Sequence, residues 1–192
     1  MVLVSQAALI AEAIAGEVVS FPTDTVPALA VRPGNADLIF SLKQRSLDKP
    51  LILMGASWQQ ILPYLGGTSN EIAVWEKTTQ KYWPGALTLV LRTSEAVPRA
   101  MNPRDPSTLG VRIPDCAIAL AILRETGPLA TTSANRSGEP PLEDLGAIAT
   151  AFPTVLALEG IASPPGSGLP STVVRWTGRG WEVLRQGSVL FS

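Results

Sequence analysis

The chain has no histidine among its 192 residues and a single cysteine, Cys116. The first absence excludes Ser–His and Cys–His nucleophile pairs and imidazole metal sites. The second excludes an internal disulfide and a cysteine-zinc site. Charged residues are scarce, 16% against 46% hydrophobic, a balance that favours a packed core over disorder. No apolar run reaches bilayer length, and the N-terminus lacks the basic start of a signal peptide, so the expectation is a cytoplasmic protein with no membrane partner. The P-loop pattern G-x-x-x-x-G-K-[ST] is also missing; if ATP binds, another scaffold holds it. Catalysis must rest on Lys, Arg, carboxylates, hydroxyls, backbone N–H groups or a cation carried by substrate. The net charge of −1 points to no polyanion, although a local basic face stays open.

What the chain does have is 17 Pro and 16 Gly, a composition of shaped turns. Extended and helical signals alternate between them. Ser5 can cap a helix to Ile14, stopped by Gly16. Buried strands are predicted at Val18–Phe21, Ala28–Val31, Leu51–Met54, Leu87–Leu91, Leu109–Ile113, Pro128–Thr132 and Thr154–Leu158. Helices are predicted at Asp37–Gln44, Trp58–Leu62, Asn70–Lys81, Asp115–Glu125 and Leu142–Phe152, the fourth holding Cys116 as a buried thiol. Thr172–Trp176 and Trp181–Leu184 flank Thr177-Gly178-Arg179-Gly180 as a hairpin. Hairpins and helical crossovers together predict one α/β domain over residues 1–192, with a mixed sheet and flanking helices. Pro164-Pro165-Gly166-Ser167-Gly168 reads as a surface loop.

Polar residues collect where strands end, the usual place for α/β ligand sites. Pro22-Thr23-Asp24-Thr25 is either a capped turn or a seat for a small polar ligand. Lys43, Arg45 and Lys49 are either a solvated helix end or a triphosphate clamp. Trp83-Pro84-Gly85 makes a rigid packing corner. Arg112 sits in an apolar strand and needs a carboxylate, from the protein or from a ligand. Thr132-Ser133-Ala134-Asn135 and Gly166-Ser167-Gly168-Leu169-Pro170-Ser171 are small, hydroxyl-rich turns through which an anion can reach backbone N–H groups.

In order, these segments closely resemble the YrdC-like family, the threonylcarbamoyl-adenylate synthases. The resemblance rests on Pro22–Thr25, on Lys43-x-Arg45 with Lys49-Pro50-Leu51, and on Trp83-Pro84-Gly85 through Thr88. It continues through Val111–Pro114, Ser133–Gly138, Ser171–Val174 and Leu184–Gly187, and so spans nearly the whole chain. It implies an open, twisted α/β sheet with a deep concave cavity, in the single-domain form without the appended C-terminal domain of some members. It further implies synthesis of threonylcarbamoyl-adenylate from L-threonine, bicarbonate and ATP with Mg²⁺, for modification of tRNA with a downstream threonylcarbamoyl-transferase complex. Carried over, Thr25, Arg112, Ser133 and Ser171 would hold threonine, whose carboxylate would answer Arg112. Arg45, Lys49, Thr108, Asn135 and Arg185 would hold the nucleotide, and Lys43, Arg45 and Lys49 would act on the phosphates. No metal site formed by the protein itself is expected.

Four positions depart from the pattern. Pro27 and Ala28 stand where the family has Tyr-Gly, which predicts a reshaped cavity floor. Met54 replaces a histidine that contacts threonine, and Glu143 replaces a hydroxyl near the nucleotide. The alternatives these changes raise are a paralogue that uses another amino acid, or an RNA-binding module without chemistry.

Overall fold

The first helix shows how local signals set the elements. The Ser5 hydroxyl accepts a hydrogen bond from the Ala8 N–H at 3.3 Å, and Gly16, with φ of 99°, ends the helix in the left-handed region. The structure is a computed structural model, and it describes residues 2–159 and 166–192. In chain order the elements are β1 (Val2–Val4), α1 (Gln6–Ala15), β2 (Val19–Phe21), β3 (Ala28–Val31), α2 (Ala36–Lys43) and β4 (Ile52–Met54). Then come α3 (Trp58–Ile61), α4 (Ser69–Tyr82), β5 (Leu87–Arg92), β6 (Thr108–Arg112), α5 (Ala117–Thr126) and β7 (Leu129–Ser133). The last are α6 (Leu145–Ala151), β8 (Leu156–Leu158), β9 (Thr172–Trp176) and β10 (Trp181–Arg185). No helix among the described residues is long and apolar enough to cross a membrane.

All ten strands join one sheet in the order β1-β8-β2-β3-β7-β4-β6-β5-β9-β10. Parallel pairs (β4 with β6, β5 with β9) mix with antiparallel ones (β3 with β7, β4 with β7, β5 with β6), as hairpins and crossovers in one chain require. Strand alternation then sorts the side chains. Leu87, Leu89, Leu91, Leu109, Val111 and Val174 join one core with Trp58, Ile61 and Trp75 of α3 and α4. The alternate residues of the same strands, Thr88, Val90, Thr108, Gly110, Arg112 and Val173, line cavities on the opposite face. A second core packs Leu9 and Ala13 of α1 and Ile122 and Leu123 of α5 against Phe21, Leu129 and Leu158. One half of the sheet is thus covered by helices on one side and left open on the other.

Several predictions need correction. Strand β1 was not foreseen; its three residues pair in parallel with β8, more than 150 positions away, and carry no turn signal. Cys116 precedes α5 as its N-cap, half-buried, with its thiol 3.6 Å from the Pro22 carbonyl, so it is not a core residue of a helix. The helix expected from Leu142 begins at Leu145, where the Asp144 carboxylate caps it. Pro164 and Pro165 of the expected surface loop lie outside the described residues.

Candidate functional site

Sheet register assembles the floor of a cavity of about 400 Å³. Ile52 pairs with Thr131, and Met54 pairs with Arg112, so β4, β6 and β7 bring Ile52, Met54, Arg112, Thr131 and Ser133 to one surface. Thr23, Thr25 and Val26 from the turn after β2 form one wall, and Arg45, Lys49 and Pro50 form another. Ser171 and Arg185 close the third side. Among the described residues four cations line this space and no carboxylate does, so it favours anions. Its volume suits a small molecule.

Arg112 is the most constrained of the four. Its Nε donates to the Gly85 carbonyl at 3.0 Å, Nη1 to the Thr25 hydroxyl at 2.9 Å, and Nη2 to Asp24 Oδ1 at 2.7 Å. Of the two sources left open for its carboxylate, the protein supplies one: Asp24 pairs with it. A guanidinium carries five N–H donors, so two remain beyond these three contacts, enough for a ligand carboxylate. Burial lowers its pKa from the ordinary value, and Asp24 opposes that shift. The Thr25 hydroxyl is oriented in turn. Thr23 spends its only hydroxyl proton on the Val26 carbonyl at 2.7 Å, so Thr25 donates to Thr23 and accepts from Arg112. The Trp83-Pro84-Gly85 corner, read as packing, therefore supplies one of the Arg112 anchors.

Gln44, with φ of 49°, turns the chain sharply after α2 and separates Lys43 from Arg45. Arg45 braces the loop that follows, with Nε to the Lys49 carbonyl at 2.8 Å and Nη2 to the Pro50 carbonyl at 3.1 Å. Arg185 donates from Nη2 to the Ser171 carbonyl at 2.8 Å, and the Ser171 hydroxyl meets Thr88 Oγ1 at 2.9 Å. Burial lowers the pKa of both arginines, and for Arg185 the charge of Arg112 adds to the shift. The effect of Arg112 on Arg185 shows two guanidiniums close enough for one to feel the other's charge, which suits an anion.

Of the residues singled out from the sequence, Thr25, Arg45, Lys49, Arg112, Ser133, Ser171 and Arg185 line this one cavity. Three do not. Lys43 is 2% exposed and bonded to Thr132, Ser133 and Asn135 behind the wall, so it does not reach into the cavity. Burial, then the charges of Arg45 and Lys49, lowers its pKa from 10.5 to about 7. Asn135 has no donor left for a nucleotide: its Nδ2 serves the Arg136 carbonyl at 2.8 Å and the Glu139 carbonyl at 2.6 Å. Thr108 lines a second hollow of about 370 Å³, which shares Arg45, Pro50, Ile52 and Arg185 with the first.

The departures fall unevenly. Pro27 keeps its carbonyl in use, accepting from the Ala134 N–H at 2.9 Å, and Ala28 pairs regularly with Phe21 and Ser133. Neither disturbs the floor at backbone level, because that position does not need a positive φ. Met54 does line the cavity. Glu143 is exposed and does not; a Cβ on Gly168 would stand 3.1 Å from its Oε1, so the carboxylate lies against that loop. Sequence reasoning missed the contacts of Asp24 and of Gly166, both of which sit inside motifs it had noticed. A Cβ on Gly166 would stand 2.2 Å from the Thr25 carbonyl, so only glycine lets this loop lie across the Thr25 turn.

A family model named for Sua5, YciO and YrdC, and described as telomere recombination, matches residues 13–187. The chain belongs to this family. Among its relatives is a threonylcarbamoyl-AMP synthase of Bacillus subtilis, 38% identical over 90% of the chain and 50% of the relative. Another of that name, from Shigella boydii, is 35% identical over 74% of the chain and 78% of its own length. The crystal structure of P. abyssi Sua5 complexed with L-threonine superposes with a TM-score of 0.85 at 30% identity, covering 97% of this chain and 57% of that one. This Sua5/YciO/YrdC chain thus spans about half the length of the Bacillus relative and somewhat more of the P. abyssi protein.

Proposed function

We propose that the chain is a nucleotidyltransferase that makes L-threonylcarbamoyladenylate from L-threonine, bicarbonate and ATP, releasing pyrophosphate, in the cytoplasm. The observation that carries this reading is the cavity in which Arg45, Lys49, Arg112 and Arg185 converge with no acid among the lining residues. The names of the Bacillus and Shigella relatives, and the threonine in the P. abyssi crystals, support it.

The amino acid would place its carboxylate on the two remaining N–H groups of Arg112. Its nitrogen would approach the lone pairs of Thr25 and Ser133. The ammonium gives a proton to bicarbonate, which splits to CO₂ and water; the amine then adds to the CO₂ carbon, a second N–H proton leaves to solvent, and a carbamate results. A carbamate oxygen then forms a bond to the α-phosphorus of ATP as the α–β bridging bond breaks and pyrophosphate leaves. Arg45, Lys49 and Arg185 would neutralise charge growing on the phosphoryl oxygens and the leaving group. The nucleoside end would extend into the second hollow, past Thr108. No protein nucleophile is required, so positioning and charge neutralisation carry the rate.

Magnesium belongs to the substrate in this reading. Mg²⁺ would enter as Mg·ATP, held by phosphate oxygens. Transfer of the product to tRNA would fall to a downstream transferase.

The deciding experiment supplies ATP, Mg²⁺, bicarbonate and each amino acid in turn. Pyrophosphate release should require both L-threonine and bicarbonate; release independent of either would sink the reading. Met54 favours one competitor. It lines the cavity beside Val26, Ala28 and Ile52, an apolar stretch that would suit a substrate side chain without a hydroxyl. Faster release with valine than with threonine would select that paralogue.

A further inference from the structure

Lys43 is a buried cation that takes no part in the ion pairs of the described residues. Its nitrogen lies within hydrogen-bond reach of three acceptors, all at the end of β7 and the turn beyond: Thr132 Oγ1 at 3.3 Å, the Ser133 carbonyl, and Asn135 Oδ1 at 3.2 Å. Asn135 is fixed from its other side, because both hydrogens of its amide nitrogen go to the Arg136 and Glu139 carbonyls. Its oxygen must therefore face Lys43. That same oxygen lies 2.6 Å from the Ser133 hydroxyl, and an amide oxygen can only accept. Ser133 is left with one choice: it gives its proton to Asn135 and presents only lone pairs to the cavity it lines.

We propose that Lys43 is a positioning residue that acts through Asn135 to make Ser133 an obligate hydrogen-bond acceptor for the substrate's amine or hydroxyl. The chain Lys43 to Asn135 to Ser133 carries the direction of the lysine's N–H donation behind the wall to a fixed polarity on the cavity surface. It explains why both Lys43 and Asn135 stand outside the lining although both belong to the shared motifs. It also gives the site a way to choose an N–H or O–H donor at that spot over a group that can only accept. A hydroxyl free to rotate would accept either. The assignment rests on the amino-acid half of the proposed function.

A double-mutant cycle tests it, reading L-threonine binding by calorimetry. Lys43→Met, which fills the buried channel without donating, should weaken threonine about tenfold in the intact protein. On a Ser133→Ala background the same change should cost less than about twofold, because the relay then has nothing to orient. Should Lys43→Met fail to fold, Asn135→Ala removes the middle link, keeps the lysine, and must show the same coupling to Ser133. Additive losses would overturn the relay while leaving the enzyme assignment standing. So would lost affinity for inorganic pyrophosphate with threonine binding intact, which would return Lys43 to phosphate binding. A wild-type protein that bound no amino acid would overturn the functional reading and the relay together.

Discussion

Arg112 and Asp24 meet at 2.7 Å, joining the end of β6 to the turn after β2, with side chains 5% and 14% exposed. An ion pair so far from water is bound to its surroundings: the gain in attraction is offset by lost hydration, but removal of one partner strands the other. Asp24→Ala should therefore cost about 3 kcal/mol or more of stability in urea unfolding, whereas Asp24→Asn, which still accepts from the guanidinium, should cost less. A ligand carboxylate can take the vacated place. L-threonine should raise the melting temperature of Asp24→Ala by more than it raises that of the wild type; equal shifts would show that threonine does not reach Arg112.

Lys43 makes stability depend on pH. Its folded-state pKa is about 7, against 10.5 for a free lysine, because burial and the charges of Arg45 and Lys49 disfavour its protonated form. Between those values the unfolded chain holds a proton that the folded one has released. Raising the pH through this window therefore favours folding, and lowering it toward 7 removes the advantage. Wild-type unfolding free energy should climb from pH 7 to pH 10 relative to Lys43→Met. Parallel curves for the two proteins would refute the shift.

The phosphate end predicts unequal losses from Arg45 and Lys49. In the proposed function Arg45 would neutralise charge, and it also clamps the Lys49 and Pro50 carbonyls, so its loss frees the loop as well. Lys49 contributes a flexible point charge. Arg45→Ala should lower kcat/KM for ATP about 100-fold and Lys49→Ala about tenfold, read as threonine- and bicarbonate-dependent pyrophosphate release. Unchanged rates in both would move the triphosphate elsewhere.

The sequence carried the strands well, because period-two alternation is written into β5 and β6: Leu87, Leu89 and Leu109, Val111 face one core while Thr88, Gly110 and Arg112 face the other side. It carried most residues of the cavity as well, but their grouping came from family resemblance, since no spacing reveals that Arg45 and Arg185 line one cavity. Lys43 and Arg45 look equivalent two positions apart in a basic helix end. Only the left-handed turn at Gln44 sends one behind the wall and the other into the cavity, and glutamine carries no signal for that conformation. Asp24 was hidden for a related reason. Its partner lies 88 positions away, and pairing at that range depends on sheet order, which local pattern does not encode.

Gly85 ties the packing corner to the chemistry. Its carbonyl accepts from Arg112 Nε at 3.0 Å, its N–H donates to the Ile113 carbonyl at 2.9 Å, and a Cβ added there would stand 2.5 Å from the Tyr82 carbonyl. That obstacle is backbone at the end of α4, so the turn must move instead, and it would carry the Arg112 anchor with it. Gly85→Ala should thus raise the KM for the amino acid more than the KM for ATP, because the proposed function sets the amino acid on Arg112 and ATP on Arg45 and Lys49. Gly178→Ala supplies the control, since its Cβ would meet nothing within 4 Å and the residue lies in the remote β9–β10 turn. It would lose some stability from its φ of 88° but should leave both KM values unchanged. If Gly85→Ala raised the two KM values equally, the corner would be acting through general loosening of the fold rather than through Arg112.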